Sequence, residues 1–143
     1  MLLTGSAQID AERAFARETR ARRRASLARR LRRGRTSSAR LSVYDETTRR
    51  RSGIPARVEI PLDAIAGTVE PSRAQLFDGD FRPSELSRRR WERVWLAEHR
   101  GTVLPPISVV RVRDGYAVRD GHHRVSVARA RGALTIDAAV EAG

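Results

Sequence analysis

The densest chemistry in the chain lies in one short segment, Asp120-Gly121-His122-His123-Arg124. Tyr116-Ala-Val118 before it reads as the end of a strand. Val125–Arg131 after it reads as a helix of small and apolar residues, stopped by Gly132. A strand that turns through glycine into a helix leaves the helix's first N–H groups without internal partners, at the positive end of its dipole. Such an end receives anions. Gly121 permits close approach, and Arg124 offers a planar fork to phosphate oxygens. Gly121, His122, His123 and Arg124 are therefore expected to hold phosphate. Asp120 would repel a bare phosphate; it suits a cap, a metal contact or an orienting partner for a histidine. Adjacent histidines do not share a helix face and His99 belongs to another element, so no metal chelate is expected. The plainer reading of the segment is a polar, exposed turn.

The second chemistry is electrostatic. The net charge is +12, and all 29 basic residues are arginine. Residues 1–57 hold 16 arginines against five acids, a balance of +11; residues 58–143 hold 13 against 12, a balance of +1. Asp10 to about Arg33 lacks proline and glycine and is rich in helix formers. Asp10 is placed to cap that helix and Gly34 to stop it. Arg13, Arg17, Arg20 and Arg24 recur at spacings of 4, 3 and 4, forming a cationic face, and Arg29, Arg30, Arg32 and Arg33 encircle the axis. Ala14, Ala21, Ala25, Ala28 and Leu31, with Leu27 beside them, form a stripe too thin for strong packing. The expected partner is nucleic acid, DNA before RNA, gripped through its phosphates without sequence preference. Phe15 stands alone, so base stacking has no support. A solvated tail or an acidic protein partner is the competing reading, and a membrane surface a weaker one.

The elements that must position these groups follow from the rest of the chain. At 143 residues, one domain with a tail is expected. The absence of cysteine excludes disulfides, thiolate metal sites and a thiol nucleophile. No apolar run approaches the ~20 residues that span a bilayer, and no secretion signal is visible, so a cytoplasmic location is expected, with nucleoid association following from the arm. Leu41–Thr48 suggests a short helix, Val58–Ile60 a strand, Pro61–Ile65 a helical turn and 67–83 a loop. Ser87 is placed to cap a helix, with Leu86 and Trp91 as a hydrophobic staple. Trp91, Val94 and Trp95 share one face of that helix, ended by Gly101. Ile107–Val112 and Tyr116–Val118 flank the hairpin signal Asp114-Gly115, and Leu134–Val140 is the last strand. The expectation is an α+β domain over 58–143, a small mixed sheet with helices, preceded by a basic helical arm and junction over 1–57.

At Leu104-Pro-Pro-Ile-Ser-Val-Val and Gly115-Tyr-Ala-Val-Arg-Asp-Gly-His-His-Arg-Val-Ser-Val-Ala-Arg-Ala-Arg-Gly the chain resembles the ParB/sulfiredoxin superfamily. The signature is Gly-x-x-Arg, here Gly121 to Arg124, and the likeness extends over about Val58–Val140. The basic leader and the tryptophan-bearing helix look like short ParB-like, chromosome-partitioning-like proteins. The resemblance implies a nucleoside triphosphate, CTP or ATP, with its phosphates on Gly121–Arg124. Partitioning members carry an acidic residue and a second arginine where this chain has His122 and His123, and they carry further DNA-binding and dimerisation domains for which 143 residues leave no room. Sulfiredoxins need a cysteine in this turn, so sulfinic-acid reduction is excluded. Free-serine kinases of the superfamily have a similar Asp-Gly-x-His-Arg turn and a carboxylate base from an earlier loop, for which Glu70 is the nearest residue.

The leading expectation is thus a nucleotide phosphate-binding module that associates with DNA. The alternative is a small phosphotransferase. There Glu70 or Asp120 takes a hydroxyl proton or holds Mg²⁺, and His122 or His123, with Arg124, stabilises the phosphoryl group. A nuclease ranks lower because no compact acidic cluster is visible. A domain that only contacts protein partners is the fourth reading.

Overall fold

The computed structural model describes residues 4–32, 39–45 and 53–141. In chain order the elements are α1 (Thr4–Leu31), β1 (Ser42–Val43), β2 (Ala56–Pro61), β3 (Ile65–Thr68), α2 (Arg88–His99), β4 (Ile107–Val112), β5 (Gly115–Asp120), α3 (His122–Ala130) and β6 (Thr135–Val140). Short 3-10 turns cover Leu62–Ala64, Pro71–Leu76 and Glu85–Ser87. The result is the expected α+β architecture, with one mixed six-stranded sheet and a long N-terminal helix.

The strand order is β1-β3-β5-β4-β6-β2. The Asp114-Gly115 turn joins β4 to β5 as an antiparallel hairpin at the sheet centre. β6 lies parallel to β4 on one side and β3 parallel to β5 on the other. β1 and β2 close the two edges. The apolar residues of β4, β5 and β6 meet those of α3 in the main core: Ile107, Val109, Val118, Val125, Ala138 and Val140 are buried, with Phe77 and Phe81 contributed by the loop before α2.

Several sequence expectations need correction. α1 begins at Thr4, so Asp10 lies inside the helix and caps nothing. Its buried stripe is Ala11, Ala14, Phe15 and Thr19, whereas Leu27 and Leu31 are exposed. Phe15 is not alone. It packs edge-on to Trp91 at 5.6 Å and 67°, inside a second apolar cluster with Trp95 and Val127. The helix expected near Leu41 is replaced by strand β1, paired in parallel with β3. Of the 67–83 loop, Gly67 and Thr68 belong to β3 and 71–76 is a 3-10 turn. Leu86 is exposed, so no staple forms with Trp91. The Ser87 hydroxyl donates to the Ser84 carbonyl and makes no cap. Arg33, Gly34 and residues 46–52 lie outside the described residues.

Candidate functional site

Gly121 is the pivot between β5 and α3. Its φ of 109° is left-handed, a conformation that side chains disfavour. A Cβ there would lie 2.4 Å from Ile107 Cγ2 and 3.2 Å from Arg124 Nη2. The glycine is thus required by the core strand beside it as well as by the turn. The N–H of Val125 closes the first helical bond onto the Gly121 carbonyl at 3.0 Å. The earlier N–H groups of α3 are left at the mouth of an open cavity of about 280 Å³. Arg73, Arg90, Val94, Asp120, Gly121, His122, His123 and Arg124 line it.

Both histidines are buried and rest against Phe77. His122 stacks on the ring at 6.4 Å, and His123 meets it edge-on at 5.1 Å. His122 Nε2 lies 2.7 Å from the hydroxyl of Thr68, which also accepts the Glu70 N–H at 2.9 Å and reaches the Val118 carbonyl at 3.1 Å. His122 is therefore anchored to the floor through β3. His123 has no hydrogen-bond partner among the described residues and faces the cavity. Burial lowers both rings to about 4. Arg73 pushes His122 further down while Asp120 opposes, and Arg90, Arg73 and His122 push His123 down. At neutral pH both are uncharged, so the positive charge of the cavity is arginine.

Arg124 is partly committed. Its Nη1 donates to the carbonyls of Pro105 and Pro106, and Nη2 donates to Asp120 Oδ2 at 3.1 Å. Of its five donors, Nε–H and one on Nη2 remain for a ligand. Asp120 accordingly pairs with Arg124 and orients it; its carboxylate is neither the histidine partner nor the cap expected of it. Glu70 lies 3.7 Å from Arg119, which also bonds Glu141, and Glu70 does not line the cavity.

Two residues were missed from sequence. Arg73 comes from the 3-10 turn Pro71–Leu76 and Arg90 from the first turn of α2. Neither has a carboxylate partner among the described residues. Arg90 stands in Arg88-Arg89-Arg90, a run that is itself a signal. Its direction was not legible, because Arg88 turns the other way, onto Phe15 at 5.3 Å and Glu92 at 3.3 Å.

On the arm, Arg13, Arg17, Arg20, Arg24, Arg30 and Arg32 are exposed and Arg29 is half-buried. At 100° per residue the stripe Arg13–Arg17–Arg20–Arg24 falls on the side of α1 opposite Ala11, Ala14 and Phe15. It therefore faces solvent while the other side is docked. Among the described residues no three acidic or histidine side chains converge on one point. No helix of the described residues is long and apolar enough to cross a membrane.

No family model matches the chain, and no curated protein matches it. Among solved structures, sulfiredoxin from Arabidopsis thaliana matches with 22% identity and a TM-score of 0.44, over 62% of this chain and 88% of that one.

Proposed function

We propose that the protein is a nucleotide-binding module with a nucleic-acid-gripping arm. The cavity at the start of α3 takes the phosphate chain of CTP or ATP, accompanied by Mg²⁺, in the manner of the ParB-like proteins that Gly121–Arg124 resembles. The solvent-facing arginines of α1 hold DNA by its phosphates. The observation that carries the reading is the convergence of Arg73, Arg90 and Arg124 from three elements on the open N–H groups of one helix. Two of these cations have no carboxylate partner among the described residues. Guanidinium forks and a helix start both favour phosphate oxygens. The neutral histidines add hydrogen-bonding capacity without a charge that depends on pH near 7. The phosphotransferase reading ranks second: it needs a carboxylate free to take a hydroxyl proton, and Glu70 and Asp120 are both ion-paired.

Thermal unfolding with CTP, ATP, ADP and tripolyphosphate, each with and without Mg²⁺, tests the pocket, because a ligand bound only to the folded state raises its midpoint. A triphosphate is expected to raise the midpoint by several degrees. Arg90→Ala is expected to abolish most of that rise while leaving the ligand-free midpoint within about 2 °C, since Arg90 is exposed. No shift with any of these anions would dispose of the reading.

A further inference from the structure

Among the described residues the sheet ends at β2, and no described strand pairs with its outer edge. Natural edge strands are blunted by shortness, bulges, charged side chains (lysine above all) or internal prolines; β2 carries one charge of each sign, Arg57 and Glu59, which repel a like-charged strand but suit a complementary one. The opposite edge, β1, is only two residues long. β2 has six residues, pairs with β6 without a register break from Ala56↔Val140 to Pro61↔Thr135, and has proline only at its end. Leu62 N–H bonds the Leu134 carbonyl at 2.9 Å. Backbone groups alternate sides along an antiparallel ladder. Those of Ala56, Val58 and Ile60 therefore point at β6, and those of Arg57 and Glu59 point outward, with no backbone partner among the described residues.

We propose that this edge pairs with the β2 edge of a second copy of the chain, antiparallel, about a two-fold axis at Val58. That register sets Arg57 opposite Glu59 of the other copy, and Glu59 opposite its Arg57. It joins the four outward N–H and C=O groups of each copy in the narrow hydrogen-bonded pairs of the ladder. The Arg-Val-Glu sequence is thus self-complementary under a two-fold operation, the condition an isologous interface imposes. Val58 meets its own copy. It is 41% exposed, in a strand otherwise committed to the core through Ile60. Ile54, 96% exposed, lies just before the strand. Pro55 and Pro61 fall opposite each other at the two ends and, lacking N–H groups, confine the pairing to this segment. Present partners are few and exposed: Arg57 lies 4.0 Å from Asp137 with both side chains mostly exposed, and Glu59 accepts the Thr135 hydroxyl through one carboxylate oxygen, leaving the other for the second copy. One strand pair buries little surface, so the dimer is a weak, concentration-dependent one.

The test is sedimentation of the nucleic-acid-free full chain over a wide concentration range at moderate salt. It is run on the wild type, Arg57→Glu, Glu59→Arg and the double charge swap, with circular dichroism and unfolding midpoints confirming that each folds. The expected result is a monomer–dimer equilibrium. Either single variant moves its midpoint about ten-fold or more to higher concentration, through like charges set opposite each other, and the double swap restores it. In hydrogen exchange the Arg57 and Glu59 amides gain protection as the dimer forms, while Val58 and Ile60 are protected throughout. A chain that stays monomeric at all concentrations would overturn the proposal. So would a dimer indifferent to the swaps whose Arg57 and Glu59 amides stay unprotected.

Discussion

His122 and His123 are the residues whose chemistry departs most from what their types suggest. A histidine among arginines at a helix start suggests an anion-binding cation; here burial, and after it the charge of the neighbouring arginines, keeps both rings neutral, with pKa values lowered to about 4. A consequence follows for stability. In the unfolded chain each titrates near pH 6.5. As pH falls through that value the unfolded state takes up protons that the folded state refuses, so stability drops. The contribution of the two rings is fully present above about pH 6.5 and is lost progressively down to about pH 4, by at most ~1.4 kcal/mol per pH unit per histidine. Urea midpoints at pH 7, 6 and 5 should fall in that order, and His122→Asn with His123→Asn should flatten the fall. A midpoint level from pH 7 to 5 would contradict the buried, neutral assignment. At this scale the sequence disclosed Gly121–Arg124, because four contiguous residues need no knowledge of the fold. It did not disclose Arg73 and Arg90, which reach the same cavity from 47 or more and 30 or more positions away along the chain.

Among the elements, α1 carries both a docked and a free side. Phe15 enters between Trp91 and Arg88, and Trp91 in turn donates its ring N–H to Ser126 of α3 at 2.8 Å. One aromatic contact thus ties the arm to the helix that begins at the arginine-lined cavity. Truncating a buried phenylalanine typically costs 3–5 kcal/mol. Phe15→Ala is expected to release the helix locally before the domain unfolds: amides of residues 11–19 should lose protection and Trp91 fluorescence should shift to the red. Unchanged protection over α1 would show that the contact does not hold it. The hairpin β4–β5, the helix α3 and the last strand were legible because turn residues bracket them. β1 and β3 were not. They are two and four residues long, they pair in parallel, and Gly67 is explained only by its neighbour: a Cβ there would lie 2.2 Å from the Ser42 carbonyl oxygen. The helix stripe misled because the alanine spacing suggested a face that Phe15 does not share.

For the molecule as a whole, charge is segregated by residue: +11 falls within residues 1–57 and +1 within the remainder. If about six arginines of the arm neutralise DNA phosphates, the logarithm of affinity should fall with the logarithm of salt at a slope of about −5. Fluorescence anisotropy with duplexes of unrelated sequence should return the same slope for each. Sequence-dependent affinities, or a slope near zero, would refute a backbone grip by the arm. The net charge was legible at once from composition. The opposition of the cationic stripe to the docked side needed the position of Phe15, which no periodicity in α1 announces. The strand order has a consequence of another kind, in the timing of synthesis. β2 has only one neighbour among the described strands, and that neighbour is β6, the last of the described elements. Roughly 75 residues separate Pro61 from Thr135, so at ribosomal speeds of about 5–20 residues per second β2 waits about 4–15 s for its partner. During that interval both of its backbone edges are open. A nascent chain of this protein is therefore exposed to mispairing at β2 in the seconds before β6 emerges, and the arrival of β6 covers the inner edge of β2.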